Sequence, residues 1–213
     1  MKSIHHSYTC AIAMLFVVFG ISMTGVSAQE PAPAQSPAAP KTQETTESAA
    51  QKYFTDTVLI DQDGQRLRFY SDLVKNKTVI IDSFFASCTA SCLPLNRNLE
   101  QIQKALGDRL GKDVYILSIS VDPTVDKPPA LKAYAKKFNA RPGWHFLTGD
   151  KANVELVLKK LGQFVEDKND HTNIFLIGND RTGLWKKALG LAKSDELIKI
   201  VESVLNDTGE PKQ

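Results

Sequence analysis

Cys88 and Cys92 are the side chains of this chain best suited to chemistry. They stand in Cys88-Thr89-Ala90-Ser91-Cys92, directly after the run Thr78-Val79-Ile80-Ile81-Asp82-Ser83-Phe84-Phe85. A close pair of thiolates can hold Cu(I), a soft ion that accepts few ligands. The same pair can cycle between dithiol and disulfide. The two uses compete, because a disulfide does not ligate copper as thiolates do. A plain structural bridge is a third reading, but so short a loop removes little chain entropy and would add little stability. Imidazole is the best additional ligand for such a site, and His145 and His171 offer it. His171 stands in Asp170-His171-Thr172 at a strand entrance, where a single histidine is ordinarily a turn residue. His145 lies between Trp144 and Phe146, which reads as packing within a short strand.

These groups need a frame. The apolar, β-branched run from Thr78 to Phe85 reads as a central strand covered on both faces. Leu95, Leu99, Ile102 and Leu106 keep a helical spacing, which predicts a helix over Pro94–Leu110. The cysteines thus fall at the carboxyl end of a strand and the start of a helix, where open α/β sheets gather reactive groups. Pro94 suits the first helical turn. The dipole of that turn favours a nearby thiolate by about 0.3–1 kcal/mol when exposed and up to ~2 kcal/mol when partly buried, so a lowered thiol pKa is expected. Upstream, Val58–Ile60, the turn Asp61–Gly64 and Arg66–Phe69 predict a β-hairpin. Downstream come strands at Val114–Val121, Trp144–Leu147, Thr172–Ile177 and Leu184–Leu189, and helices at Pro129–Phe138, Asn153–Leu161 and Asp195–Leu205, the last capped by Ser194 or Asp195. Strands alternating with helices predict an α/β sandwich with one central mixed sheet flanked by helices.

The ends and the composition bound the setting. Lys2, His5 and His6 precede an apolar run from Cys10 to Val26, which closes on Val26-Ser27-Ala28. Residues 1–28 therefore read as a signal peptide, with an uncleaved signal anchor as the alternative. Either places the folded part outside the cytoplasm, in a periplasm or on the outer face of the cytoplasmic membrane. Cleavage after Ala28 would remove Cys10, His5, His6 and all three methionines. Two thiols and two imidazoles would then be the remaining soft or borderline ligands. Residues 29–50, rich in Pro, Ala, Gln, Thr and Ser, read as a flexible linker that could serve a membrane tether. Residues 51–208 form the expected domain and 209–213 a tail. Lys+Arg 26 against Asp+Glu 24 is a mild balance, so a nucleic-acid partner has no electrostatic support.

Over about residues 54–206 the sequence resembles the Sco/SenC copper proteins. The matching pieces are Cys88-x3-Cys92, Ser120-Val121-Asp122-Pro123-Thr124-Val125-Asp126-Lys127-Pro128, Leu131-x2-Tyr134-x3-Phe138, Trp144-His145-Phe146-Leu147-Thr148-Gly149, and His171 ahead of Ile174-Phe175-Leu176-Ile177. A lone CxxxC is weak, but five pieces in the right order are strong. The resemblance implies a thioredoxin-like fold and copper held by Cys88, Cys92 and His171. Cu(I) could take all three donors, and Cu(II) would recruit a further oxygen or nitrogen. It also implies a metallochaperone without turnover that serves the copper site of cytochrome c oxidase. Its partners would be a copper-receiving subunit and a thiol reductant.

Asp82 lies six residues before Cys88, where thioredoxins carry a buried acid that moves protons in disulfide exchange. The resemblance implies that role here; a strand-end acid paired with a base is the plainer alternative. Asp122 and Asp126 read either as groups behind the metal ligands or as turn and cap residues. Thr89 and Leu93 depart from the family, in which proline often follows each cysteine, and Pro94 is displaced by one position. The alternative to a copper carrier is an enzyme, a thiol–disulfide oxidoreductase using Cys88 and Cys92 on partner cysteines. A thiol peroxidase is a distant third.

Overall fold

The computed structural model describes residues 49–210. The expected signal segment, residues 29–48 of the expected linker and the last three residues lie outside them. Helix α1 (Ala49–Phe54) begins within the last two positions read as linker. Its anchor is Phe54, buried against Phe69, Tyr70 and Trp185 at ring-centroid distances of 6.4, 6.3 and 5.1 Å. That contact joins positions distant in sequence, which a local reading of composition does not weigh.

Strands β1 (Val58–Ile60) and β2 (Arg66–Arg68) form the expected hairpin, with Leu59 opposite Leu67. The second strand is one residue shorter than predicted. Phe69–Val74 forms a π-helical turn that buries Phe69, Tyr70, Leu73 and Val74. The sheet proper has five strands in the order β5-β4-β3-β6-β7: β3 (Thr78–Phe84), β4 (Val114–Ser120), β5 (Trp144–Leu147), β6 (Ile174–Asn179) and β7 (Leu184–Leu189). β3, β4 and β5 run parallel; β6 is antiparallel to β3 and β7 to β6. The hairpin covers the β5 edge. Ile60 bridges Thr148, and the Gln62 side chain accepts the Phe146 N–H at 2.8 Å. An edge that would otherwise offer unpaired backbone groups is thereby closed.

All seven residues of β3 are buried, because both faces are covered. Ile80 and Phe84 point to one core with Leu95, Leu99, Tyr134, Phe146 and Val201. That core joins α2 (Cys92–Leu106), α3 (Pro128–Lys136) and α5 (Ser194–Leu205) to the sheet. Val79 and Ile81 point to a second core with Leu117, Ile119, Val154 and Leu158, under α4 (Lys151–Leu161). Each fully buried aliphatic or aromatic side chain contributes about 1.5–3 kcal/mol, so the double cover makes β3 the anchor of the fold. The architecture is the mixed α/β, thioredoxin-like fold expected. α2 opens at Cys92, two residues earlier than predicted, and Pro94 falls inside its first turn. Its α-helical part ends at Leu106 and gives way to a 3-10 turn, Gly107–Arg109. α5 starts at Ser194 after Lys193, with no side-chain cap hydrogen bond; Asp195 and Glu196 lie in its first turn, where they complement the helix dipole.

Gly143, at φ +96°, leads into β5, and a Cβ there would lie 2.4 Å from the Gly111 backbone nitrogen. Both the dihedral and the contact exclude a side chain. Gly143→Ala should cost about 2 kcal/mol or more, read as a lowered midpoint in urea denaturation.

Candidate metal centre

β3 ends at Phe84, and the chain turns at once. The Cys88 N–H donates to the Phe85 carbonyl at 3.1 Å, and Cys92 opens α2. On the other side, the Asp167 carboxylate accepts the Asn169 N–H at 2.9 Å and caps a 3-10 turn, Lys168–Asp170. His171 follows that turn directly. The result brings Cys92 Sγ to 3.0 Å from His171 Nε2. One ligand atom from each of Cys88, Cys92 and His171 lies within 4.8 Å of the other two. Among the described residues no other group of three His, Cys, Asp or Glu side chains converges in this way. Metal–thiolate and metal–imidazole bonds of about 2.3 and 2.0 Å set donors about 3.7 Å apart in a trigonal site. The Cys92–His171 pair would open by less than an ångström to admit an ion.

Cys92 is fully buried, while Cys88 and His171 are 7% and 8% exposed. The approach is a cavity of about 250 Å³, with Ser87, Cys88, Ser91, Asn169 and His171 in its wall. Phe85 packs edge-on against the imidazole, ring centroids 5.5 Å apart. His145 is elsewhere, stacked on Tyr115 in β5 with Nδ1 3.5 Å from Asp61 Oδ2. It takes no part in the cluster.

Electrostatics decide the resting protonation. Burial holds His171 below its ordinary pKa, with the Lys168 carbonyl pulling the other way. Burial also pushes the Cys92 thiol well up, and its hydrogen bond with Cys88 adds to the push. The expected lowering by the helix dipole is therefore overturned for Cys92. A dipole contribution of at most ~2 kcal/mol is about 1.5 pKa units, whereas desolvation of a buried group reaches 3–5 units. A neutral imidazole beside a protonated thiol results. A soft cation can replace the thiol proton, so that binding releases protons.

Asp82 sits in the sheet opposite Ser118. Ser118 Oγ donates to its Oδ1 at 2.6 Å and accepts the Trp144 indole N–H at 3.0 Å. Oδ2 is buried without a hydrogen-bond partner among the described residues. Among the described residues no base pairs with Asp82, against the plainer reading of a strand-end ion pair. Burial raises its pKa to about 7, against the lowering effect of Ser118. Its charge adds to the upward push on Cys92, after burial and Cys88. Asn96, one helical turn after Cys92, donates to the Cys92 carbonyl at 2.9 Å and to the Tyr134 hydroxyl at 3.2 Å.

Asp122 and Asp126 tie the two site loops together from behind. Asp126, 2% exposed, accepts the Ala86 N–H at 3.0 Å and the Ser120 hydroxyl at 2.6 Å. The Val121 N–H donates to the Phe84 carbonyl at 2.8 Å. Asp122 pairs with Lys168 at 2.6 Å. Lys168 begins the turn that carries His171, and its ammonium lies 5.1 Å over the Phe85 ring. One loop thus grips the cysteine loop through Asp126 and the histidine loop through Asp122. Lys168, Ser118 and Asn96 carry this scaffold and did not emerge from the sequence, and Ser120 appeared there only as the first residue of a matching piece; for Lys168 the one local signal was its place three residues before His171.

The site and fold define a thioredoxin-like protein with two cysteines and a histidine at the carboxyl end of its central strand. The family model described as SCO1/SenC matches residues 42–206, and the chain belongs to that family. A SCO1 protein homolog of Bacillus subtilis (strain 168) is 33% identical over 129 residues, which span 56% of this chain and 65% of that protein, just under two thirds of its length. The structure of BsSco, described as a member of the Sco family of cytochrome c oxidase assembly proteins with a disulfide switch, superposes with a TM-score of 0.59. It is 28% identical and covers 71% of this chain and 92% of its own. The copper-bound structure of Bradyrhizobium japonicum ScoI shares the fold, with a TM-score of 0.58 at 23% identity over 70% of this chain and 96% of its own.

Two outcomes follow from this geometry. Asp126→Ala strands the Ala86 N–H and the buried Ser120 hydroxyl, and should cost about 1–3 kcal/mol in chemical denaturation. For Asp82 the folded-state pKa lies above the unfolded value near 3.8, so the folded state binds more protons across the window from there to about 7. Stability contributed by this group is therefore present below pH 3.8 and falls as pH rises through the window, by up to ~1.4 kcal/mol per unit. Asp82→Asn should flatten that slope in denaturation curves at pH 5, 6, 7 and 8.

Proposed function

We propose that this protein carries copper outside the cytoplasm, holding one ion between Cys88 Sγ, Cys92 Sγ and His171 Nε2. The convergence of these three donors within 4.8 Å, at the wall of an open cavity, is the observation that carries the reading. Two thiolates and an imidazole suit Cu(I) in low coordination, and Cu(II) would draw a further oxygen or nitrogen ligand. Family membership supports copper as the cargo. The acceptor is proposed to be a subunit of cytochrome c oxidase under assembly, as the description of BsSco suggests for that relative. Export to the periplasm or the outer face of the cytoplasmic membrane follows from the reading of residues 1–28, with residues 29–48 as the tether or spacer. A thiol reductant is required, because copper binds the dithiol and an oxidising compartment favours the disulfide.

Asp82 favours a second reading, a thiol–disulfide oxidoreductase. There the Cys88/Cys92 dithiol would reduce a partner disulfide, losing two electrons and two protons and becoming a disulfide itself. A buried carboxyl with a pKa near 7 is suited to take the Cys92 proton. The two activities can act in sequence on one partner, reduction first and metal transfer second.

Reduced full-length protein should retain one copper after buffer exchange against a competing chelator, by metal analysis. His171→Ala should weaken retention by about 10-fold or more, and Cys88→Ser or Cys92→Ser should abolish it. Retention indifferent to His171 would sink the three-donor site. An enzyme reading would instead show disulfide exchange lost in Cys88→Ser, nearly intact in His171→Ala and slowed in Asp82→Asn.

A further inference from the structure

Ser87 lines two cavities. One is the mouth of the metal centre described above. The other, of about 310 Å³, lies against α3, with Ala86, Val125, Ala130, Ala133 and Tyr134 in its wall. Ser87 stands in both walls, so the two cavities adjoin at the cysteine loop, a trough with one end against α3 and the other at Cys88 and His171. Its α3 half is apolar. The one carboxylate there, Asp126, is already engaged by Ala86 and Ser120. Val125, at the tip of the loop that grips the site, is 59% exposed.

The segment that supplies the α3 wall carries a charge that the balance of the whole chain conceals. Residues 127–141 contain five lysine or arginine side chains and no carboxylate. Lys132 pairs with Asp63 and Arg141 with Asp108. Lys127, Lys136 and Lys137 are exposed and make no ion pair among the described residues. Lys137 also lines the trough, its ammonium 5.3 Å over the Tyr134 ring. Lys137 in the wall, with exposed Lys136 next to it in the chain, sets positive charge beside an apolar floor, which favours a partner of opposite sign with small apolar side chains.

We propose that this trough receives an extended, acidic, cysteine-bearing segment of the protein that exchanges copper with Cys88. The proposal rests on the copper-carrier reading and adds where the partner lies and what it is made of. A soft ion passes between proteins by ligand exchange, so an incoming thiolate must come within about 2.3 Å of the metal while the outgoing ligands are still bound. Cys92 is fully buried, so the incoming chain has to pass Cys88, which the trough leads to. Each copper–sulfur bond to Cys88 or Cys92 that breaks is replaced by one to a partner sulfur, and the copper–nitrogen bond to His171 breaks last, leaving a neutral imidazole and copper two-coordinate between the partner sulfurs. The proton of the incoming thiol goes to the outgoing thiolate, and copper remains Cu(I) throughout.

The test uses the Cu(I)-loaded full chain and three synthetic peptides of equal length. All share a central Cys-Ala-Ala-Cys and differ only in flanks of glutamate, serine or lysine mixed with alanine. In stopped-flow transfer at low salt, the acidic peptide should take copper about 10-fold faster than the basic one, and salt should close the gap. The double variant Lys136→Glu/Lys137→Glu should reverse the order. Ala133→Trp, which fills the groove, should slow the acidic peptide with copper content and unfolding midpoint unchanged. Equal rates for the three peptides, or an order indifferent to the charge reversal, would overturn the trough. If the reduced chain retains no copper, the carrier reading fails separately. The same peptides are then offered as reductants to the oxidised protein, where two peptide thiols become a disulfide as the Cys88–Cys92 disulfide becomes two thiols. The same charge order there sustains the docking site, and its absence removes it.

Discussion

Desolvation at Cys92 is the constraint around which the rest of the structure is arranged. A buried thiol holds its proton, and a buried histidine beside it stays neutral. Neither group supplies the other with a charge, so the pair rests as a thiol and an imidazole 3.0 Å apart. Such a pair offers a hard ion no charge, whereas a soft cation that displaces the thiol proton would gain a thiolate ligand. Burial that deep needs a cover, which the sheet, α2 and the Phe85 ring provide. It also needs two loops held in place.

That second need explains the loop after β4. Its backbone pairs with the end of β3, its Asp126 carboxylate holds the cysteine loop, and its Asp122 carboxylate holds Lys168 at the root of the histidine turn. The two carboxylates sit in different environments. Burial leaves Asp126 with a raised pKa despite its hydrogen bonds from Ser120 and Ala86. For Asp122 burial is outweighed by the hydrogen bonds from Lys168 and Thr124, and its carboxyl stays below the usual range. One end of the grip is therefore a buried hydrogen-bond node and the other a more exposed ion pair. The ion pair is the softer link, because salt and solvent weaken it. Movement of His171 relative to the cysteines is cheapest there.

Asp82 lies one layer deeper, on the anchor strand itself. A carboxyl at the centre of a fully covered strand destabilises the fold whenever it ionises, and two hydrophobic cores around β3 offset that cost. Its position opposite Ser118 follows from the parallel register of β3 and β4, and the pairing of β4 with β5 brings the Trp144 indole N–H to the same hydroxyl. The polar cluster behind Cys92 is thus a product of strand pairing.

The sequence by itself determined the parts that depend on local pattern. The buried run from Thr78 to Phe84 specified a central strand, the spacing of Leu95, Leu99, Ile102 and Leu106 specified the helix after it, and together they set Cys88 and Cys92 at a strand-to-helix junction. The order of five short motifs was enough for the family and hence a thioredoxin-like fold with one mixed sheet. The aromatic neighbours of His145 marked it as packing, while His171 was singled out only by the family resemblance. What only the tertiary structure decided are the relations between distant segments. The 3.0 Å approach of His171 to Cys92 joins residues 79 positions apart. The grip of Asp122 on Lys168 spans 46 positions, and the seating of α1 by Phe54 on Trp185 spans the domain. The thiol pKa could not be read from the helix start alone, because burial is a property of everything packed around the sulfur and, for Cys92, outweighs the helix dipole.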